Sequence, residues 1–240
     1  MNKVNIQHLE NQEDATETAA LALNEIFAQN LNTHKLFLVS GGSALKILDY
    51  IKPEYLTEEL TVTLVDERFS EDPEINNFLN LQKTAFFQTA LERDVHFIGT
   101  LPRHGEIVAD MVSRFEMALK NWKNQNPQGK IIALFGMGTD GHTAGIFPFP
   151  EDPKFFSEEF ENAKWVAGYT ATEKTKHPER VTTTFTFFKN IDRAVLFACG
   201  KEKAQSLQNL ISGQGQPHTL PALGLYETKN LEIFTDVGLK

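Results

Sequence analysis

The sequence has very little cysteine: one residue, Cys199, in a chain of 240. A single thiol excludes an intrachain disulfide framework and a cysteine-based metal cage, and the H-E-x-x-H spacing of many zinc sites is missing too. We therefore expect no bound metal and a reducing, cytoplasmic location. Cys199 lies within an apolar run, and no G-x-S-x-G motif is present, which argues against a covalent acyl intermediate.

Long apolar runs are also missing. No uninterrupted apolar stretch approaches ~18 residues, and the first residues lack the apolar core of a signal peptide. Basic residues are in the minority, because 23 Lys and Arg face 32 Asp and Glu and give a formal net charge of −9. We expect no membrane or nucleic-acid partner, and any phosphate site would have to be assembled from a local basic cluster.

What the chain does contain is enough apolar residue, 41%, for a sizeable core. Short apolar runs alternate with helical patterns, and we find no repeat or linker, so the prediction is one domain spanning residues 1–240. Strands are expected at 35–39, 61–65, 95–98, 130–135, 165–169, 194–198 and 231–234, and helices at 14–32, 45–51, 76–91, 107–122, 202–211 and 220–226. Between them, threonine alternates with hydrophobic residues at 181–188. The alternation predicts an α/β fold with a mostly parallel sheet covered on both faces.

The first predicted strand ends in Ser40-Gly41-Gly42-Ser43. Backbone N–H groups at the start of the following helix could meet a phosphate or sugar oxygen. Equally, two glycines could form a tight turn while Ser43 caps the helix. Both interpretations stay open on sequence alone.

The second predicted strand delivers the charged triplet Asp66-Glu67-Arg68 at its carboxyl end. In parallel sheets this end faces the ligand crevice, so the triplet is a candidate acid, base or substrate clamp. A solvated strand end is the alternative.

The stretch 135–148, FGMGTDGHTAGIFP, is the strongest candidate site. Its glycines Gly136, Gly138 and Gly141 follow a strand with G-x-G-x-x-G spacing. Two nucleotide-binding patterns fit it imperfectly. A P-loop needs lysine where His142 stands, and the dinucleotide pattern needs an acidic residue at the end of the next strand, which is missing.

What remains is a titratable imidazole on a glycine-rich turn, with Asp140 two residues before it. A histidine side chain, with an unperturbed pKa of about 6.5, suits a general base near neutral pH. His142 could instead be a polar loop residue, and Asp140 could be the cap of a turn.

The loop 170–179 and the residue after it hold the basic residues Lys174, Lys176 and Arg180, together with His177. Charges on a loop are most often solvated. In an acidic chain, however, such a cluster could bind an anion, and Arg180 could contact a phosphate through two hydrogen bonds.

Several stretches together resemble the glucosamine-6-phosphate isomerase/6-phosphogluconolactonase family. They are LVSGGSALKIL, TLVDERF, Asn76-Asn77 with Phe78, FGMGTDGHTAGIFP, HPERVTTTF and the final PALGLYETKNLEIFTD, in the family's order. D-G-H-T-A followed by F-P, with P-x-R-V-T downstream, is the specific part. The resemblance implies a three-layer α/β/α sandwich with a Rossmann-like sheet, as in the glucosamine-6-phosphate deaminase/ribose-5-phosphate isomerase/CoA transferase-like fold.

The resemblance also implies hydrolysis of 6-phospho-D-glucono-1,5-lactone in the oxidative pentose phosphate pathway, without a cofactor, by a monomer or weak homodimer. The implied catalytic residues are His142 as base, Asp140 as its orienting partner and Arg68 as an oxyanion stabiliser. The implied substrate-binding residues are Ser40, Gly41, Gly42, Ser43, Asp66, Asn77, Gly138, Gly141, Thr143, Lys176 and Arg180. Of these, Lys176 and Arg180 are expected to hold the phosphate.

The chain departs from the family's usual pattern near the sugar. Phe69-Ser70 replaces Val-Pro, and Gly145-Ile146 replaces Ser-Leu. Two alternatives stay open: a sugar-phosphate deaminase or isomerase on the same fold, and a non-catalytic protein that binds a sugar phosphate or nucleotide. The deaminases resemble this chain less, because they continue with an Asn-Glu-Pro type sequence after D-G-H.

Overall fold

The computed structural model describes residues 3–29 and 31–238 of the chain. Five residues, 1, 2, 30, 239 and 240, lie outside these ranges. The prediction of one domain spanning residues 1–240 includes them. Within those ranges, no helix is both long and apolar enough to cross a membrane.

Seven parallel strands form the central sheet, in the order β1-β10-β9-β6-β2-β3-β5. Their bounds are β1 Lys3–His8, β2 Lys35–Val39, β3 Leu60–Leu64, β5 His96–Phe97, β6 Lys130–Gly136, β9 Arg193–Phe197 and β10 Asn230–Thr235. Parallel strands need helical crossovers, which is why apolar runs alternate with helical patterns in the sequence. The prediction of a mostly parallel sheet is confirmed.

Alternate residues of β2, β6 and β9 belong to two separate hydrophobic cores. Along β2, Leu36 and Leu38 belong to one core, whereas Phe37 and Val39 belong to the other. Side chains of a strand alternate between the faces of a sheet, so a continuously apolar strand needs a cover on both faces. The predicted three-layer α/β/α sandwich follows from this burial.

Seven α-helices within the described residues supply the cover. Those on the core of Phe37 are α1 Gln12–Ala28, α2 Asn77–Gln82 and α3 Ala85–Glu92, and those on the core of Leu36 are α4 Val108–Gln125, α5 Pro153–Phe160, α6 Phe185–Phe188 and α7 Ala204–Ile211. The described part of the chain also contains four 3-10 helices, at Gly42–Tyr50, Pro53–Tyr55, Lys201–Lys203 and Pro221–Glu227.

A second sheet of three antiparallel strands, ordered β4-β8-β7, lies beside the first. Its strands are β4 Asp66–Arg68, β7 Val166–Thr170 and β8 Glu179–Thr183. Strand β4 follows β3 almost directly, so the charged triplet is not a frayed strand end but part of a ladder. The register pairs Arg68 with Arg180.

Several predicted boundaries are corrected by the structure. The helix expected at 45–51 is the 3-10 helix Gly42–Tyr50. Its Leu45 and Leu48, with the C-cap Ile51, recur every three residues, which is the 3-10 period. The run 76–91 divides into α2 and α3, because Thr84 caps a new helix and accepts a hydrogen bond from Phe87 N (3.2 Å). The stretch 181–188 divides between β8 and α6. Strand β1 was missed by the sequence analysis.

Candidate active site

The segments at the carboxyl ends of three neighbouring strands, β3, β2 and β6, line one cavity of 410 Å³. This is where ligands bind in open parallel sheets. The cavity is lined by Ser40, Gly41, Gly42, Ser43, Asp66, Arg68, Asn77, Gly136, Met137, Gly138, His142, Thr143, Ala144, Gly145, Phe147, Lys174, Thr175 and Arg180. Eleven of the fourteen predicted site residues are in this lining.

The other three predicted residues lie outside the lining. Asp140 stands behind the imidazole of His142, and Gly141 is a buried turn residue. Lys176 is exposed, and Lys174 lines the cavity in its place. Lys176 was the predicted ligand, but nothing local in the sequence distinguishes the two lysines, because both lie on one irregular loop.

The imidazole of His142 is held by Asp140. The His142 Nδ1 and the Asp140 Oδ1 are 2.6 Å apart, and the same oxygen accepts a hydrogen bond from the backbone N–H of His142 at 3.1 Å. Burial alone would raise the pKa of Asp140, but the hydrogen bonds from His142 outweigh it and hold that pKa below its usual range. An ionised Asp140 favours the tautomer with its proton on Nδ1, which leaves Nε2 free to accept a proton.

Two glycines make room for this arrangement. A Cβ on Gly138 would lie 2.2 Å from Nδ1 and Cε1 of His142, so the imidazole occupies the space of a side chain. Gly141 has a φ of +80°, and a Cβ there would lie 2.1 Å from Leu220 Cδ1. The glycine spacing therefore serves the packing of the histidine turn.

The turn is braced from two sides. Thr143 Oγ1 donates a hydrogen bond to Gly136 O (2.8 Å), which closes the turn onto β6. On the other side Tyr169, on β7, donates its hydroxyl to Gly145 O (2.5 Å) and accepts from Phe147 N (3.2 Å). Neither Tyr169 nor Phe147 was singled out from the sequence, because nothing local links β7 to the turn.

The ring of Phe147 contacts both His142 and Arg180 in the cavity wall. Its ring centroid is 4.5 Å from that of His142, with an interplanar angle of 33°, and 5.5 Å from Cζ of Arg180. A single buried ring thus supports both the imidazole and a guanidinium.

The first glycine turn is packed closely against α2. A Cβ on Gly41 would lie 2.4 Å from Oδ1 of Asn77, and Gly42 has a φ of +71°. Gly41 is the N-cap of the 3-10 helix Gly42–Tyr50, and among the described residues no side chain caps it, so of the two open interpretations the one with Ser43 as the cap is not realised. Gly42 and Ser43 begin this helix and line the cavity, and among the described residues no side-chain cap hydrogen bond is made to its first turn.

Two arginines and one aspartate give the cavity its charge. Arg68 and Arg180 are cross-strand partners, and Asp66 is 8% exposed beside them. Burial raises the pKa of Asp66, and Arg180 and Arg68 oppose that rise. Burial also lowers the pKa of Arg180, with a further contribution from the charge of Arg68. The Nε atoms of both arginines are buried and have no hydrogen-bond partner among the described residues.

Two positive groups with one buried carboxylate leave an excess positive charge in an acidic protein. Each guanidinium is only loosely held, since Arg68 Nη1 donates to Ile75 O at 3.3 Å and Arg180 Nη2 donates to Thr175 Oγ1 at 3.3 Å. An anion with several oxygens could satisfy the unused donors.

Lys174 adds a third positive group at the rim. Its Nζ lies 2.7 Å from Oε1 of Glu151 and 4.4 Å from the ring centroid of Phe149.

The described residues contain no group of three or more His, Cys, Asp or Glu arranged to hold a metal ion.

The sequence profile described as glucosamine-6-phosphate isomerases/6-phosphogluconolactonase matches residues 10–234. The chain therefore belongs to this family, and the resemblance stated from the motifs is confirmed. Among curated relatives, it is 30% identical to a 6-phosphogluconolactonase of Helicobacter pylori over 94% of this chain and 95% of the relative. It is 25% identical to a probable 6-phosphogluconolactonase of Dictyostelium discoideum over 88% and 89% of the two chains.

Solved structures share the fold. A 6-phosphogluconolactonase from Shewanella baltica superimposes with a TM-score of 0.74 at 18% identity, covering 98% of this chain and 97% of that one. A monomeric glucosamine-6-phosphate deaminase gives a TM-score of 0.71 at 17% identity, covering 96% of each. The fold is therefore similar both to that of lactonases and to that of a deaminase. The sequence relatives distinguish the two classes, because they are named as lactonases.

Proposed function

We propose that this chain hydrolyses 6-phospho-D-glucono-1,5-lactone to 6-phospho-D-gluconate, the lactonase step of the oxidative pentose phosphate pathway. The observation that carries the proposal is a histidine oriented by an aspartate, His142 with Asp140 at 2.6 Å, in the same cavity as the paired Arg68 and Arg180. The relatives named 6-phosphogluconolactonase over nearly the whole chain support it.

In the proposed reaction His142 Nε2 takes a proton from water as the water oxygen bonds to the lactone carbonyl carbon. The carbonyl electron pair moves onto its oxygen, which the N–H groups of Gly42 and Ser43 stabilise. When the intermediate collapses, the bond to the ring oxygen breaks and the imidazolium donates its proton to that oxygen. General base catalysis of this kind contributes about 10²- to 10⁴-fold.

The phosphate is proposed to bind between Arg68 and Arg180. A dianion relieves the repulsion between two adjacent guanidinium groups and provides partners for their unused donors. This assignment gives Arg68 a role at the phosphate, in place of the role at the oxyanion that the family resemblance implies. Lys174, which lines the cavity, is proposed as the third cation in place of Lys176.

The decisive experiment is a lactonase assay that couples product formation to 6-phosphogluconate dehydrogenase, measured above the spontaneous rate. His142→Ala should lower kcat by about 100-fold or more, because the base is lost. His177→Ala is a matched control, since that histidine lies on the basic loop outside the cavity lining. Equal kcat in the two variants would refute the base assignment.

The phosphate assignment has its own matched pair. Lys174→Ala should raise KM several-fold, whereas Lys176→Ala, two residues away and outside the lining, should leave KM nearly unchanged. Arg180→Ala should raise KM far more than it lowers kcat. The reverse pattern for Arg180 would place it at the transition state instead.

The two alternative functions give different results. A deaminase would release ammonia from glucosamine 6-phosphate, and a non-catalytic binding protein would bind a sugar phosphate or NADP(H) saturably without turnover of the lactone. A chelator should leave the lactonase activity intact. We also propose a cytoplasmic location and a monomeric or weakly dimeric state. Light scattering after size exclusion measures the oligomeric state.

A further inference from the structure

Glu67 is the most deeply buried member of the charged triplet. It stands between Asp66 and Arg68 on β4, and both of these neighbours line the cavity. Because side chains alternate along a strand, Glu67 points to the opposite side, away from the cavity. It is 1% exposed and has no place in the proposed chemistry.

Four donors converge on its carboxylate. Oε1 accepts from the backbone N–H groups of Arg68 (2.7 Å) and Asn77 (2.6 Å). Oε2 accepts from the backbone N–H of Phe78 (2.9 Å) and from Thr100 Oγ1 (2.8 Å). A carboxylate offers about four lone-pair positions, so its acceptor capacity is filled entirely by the protein.

These contacts join three separate segments. Asn77 and Phe78 are the first two residues of α2. Their N–H groups have no acceptor within the helix and favour a negatively charged partner. Thr100 lies on the segment after β5, and Arg68 is on β4 itself. The carboxylate of Glu67 therefore fixes α2 against the strand that carries the cavity's charges.

Asn77 also lies against the first glycine turn, at Gly41. Asn77 Nδ2 donates to Asp66 O (3.2 Å), and its Oδ1 occupies the space beside Gly41 where a Cβ would come within 2.4 Å. A shift of the first turn of α2 would move Asn77 relative to both Asp66 and Gly41. Two walls of the cavity thus depend on where Glu67 holds this helix.

We propose that Glu67 is a positioning residue, which sets the substrate-binding geometry of Asn77 and Arg68 without touching the substrate. The inference rests on the proposed lactonase function for its kinetic readout. It assigns a role in binding to a triplet residue that faces away from the cavity.

The charge of the side chain is essential to this role. Burial raises the pKa of Glu67 to about 7, against the four hydrogen bonds that favour the ionised form. At a pH well above that value the group is a carboxylate with acceptors only. Glutamine has nearly the same shape, but its NH₂ group would face two of the four donors and repel them.

The test compares Glu67→Gln with the matched control Glu116→Gln at such a pH. Glu116 Oε2 also accepts two backbone N–H bonds, from Trp165 (3.0 Å) and Val166 (3.1 Å), and Glu116 is not part of the cavity lining. Glu67→Gln should raise KM by about tenfold, the effect of misplacing one charge-assisted contact, with kcat changed less than about threefold. Glu116→Gln should change neither constant by more than about twofold.

A double-mutant cycle shows whether Glu67 acts through Asn77. Asn77→Ala should raise KM less in the Glu67→Gln background than in the wild type, by at least about threefold. Independent effects, or an equal KM change in the Glu116→Gln control, would refute the proposal. If Glu67→Gln fails to fold, Thr100→Val removes one of the four donors and should raise KM in the same direction; no change in KM there would also refute it.

The failure of this inference can be told from failure of the proposed function. Calorimetric binding of inorganic phosphate needs no turnover, and Glu67→Gln should weaken it by about tenfold relative to the wild type and to Glu116→Gln. A wild type that binds phosphate but hydrolyses no lactone would refute the function and leave Glu67 testable. A wild type that is active, with unchanged phosphate binding in Glu67→Gln, would refute the role of Glu67 alone.

Discussion

A methyl group on Gly138 should displace the imidazole of His142, the proposed base, from its contact with Asp140. In Gly138→Ala the new Cβ would lie 2.2 Å from Nδ1 and Cε1 of His142 and 2.7 Å from Oδ1 of Asp140. Carbon atoms pack at about 3.5 to 4.0 Å, so the ring must retreat by more than about 1 Å. That movement breaks the 2.6 Å contact between His142 and Asp140.

The size of the effect follows from this displacement. Misplacing a catalytic group by about 1 Å costs about 100-fold in rate, which corresponds to about 2.7 kcal/mol in the activation free energy. Gly138 is not among the glycines with positive φ, so alanine adds little backbone strain. The three atoms nearest the new methyl group belong to His142 and Asp140 and none belongs to Arg180, so KM should change less than about threefold.

Steady-state kinetics with the coupled lactone assay measure both constants, and thermal unfolding checks the fold. Gly136→Ala is the control, because it also adds a methyl group to the cavity wall but its Cβ meets no atom within 4 Å. The kcat of Gly138→Ala should fall at least about tenfold below that of Gly136→Ala. Similar kcat values in the two variants would refute the argument that the position of the imidazole limits the rate.

Two further predictions concern stability. Tyr169→Phe should lower the free energy of unfolding by about 1 to 3 kcal/mol in urea titrations, because Gly145 O and Phe147 N lose a buried partner; a loss below about 0.5 kcal/mol would contradict it. The hydrogen bond from Arg114 holds the pKa of Glu106 below its usual range, so its stabilising effect is full above the ordinary glutamate pKa and disappears as the pH falls through the lowered value. The stability difference between wild type and Glu106→Gln, at most about 1 kcal/mol at neutral pH, should therefore vanish in acid, and a constant difference would refute this pairing.

The arrangement of the fold was largely predictable because its signals are local. The apolar runs of β2, β3, β6 and β9 and the helical spacing of α4 are complete within a few residues, and the structure confirms them. The weak points were short elements whose form depends on partners elsewhere. Strand β1 pairs with β10, near the other end of the chain, and no local sequence pattern indicates that pairing.

The candidate site was predictable to the same extent. His142, Asp140 and Gly138 lie within five residues of one another, so their mutual contact could be read from one motif, and the structure brings them together. Their roles in the reaction stay predictions. Lys176 illustrates the limit, because which lysine of the loop faces the cavity depends on how the loop packs on Phe149 and Glu151.

By itself, the sequence determined the family, the α/β layering and the glycine-rich turn with its histidine, because periodicity and tight turns depend on neighbouring residues. Only the tertiary structure decided which distant side chains share the cavity. It paired Arg68 with Arg180 across a second sheet, placed Tyr169 behind the turn, and turned Glu67 away from the cavity toward α2. These contacts join residues from 10 to more than 100 positions apart, and long-range packing and strand register alone set their geometry.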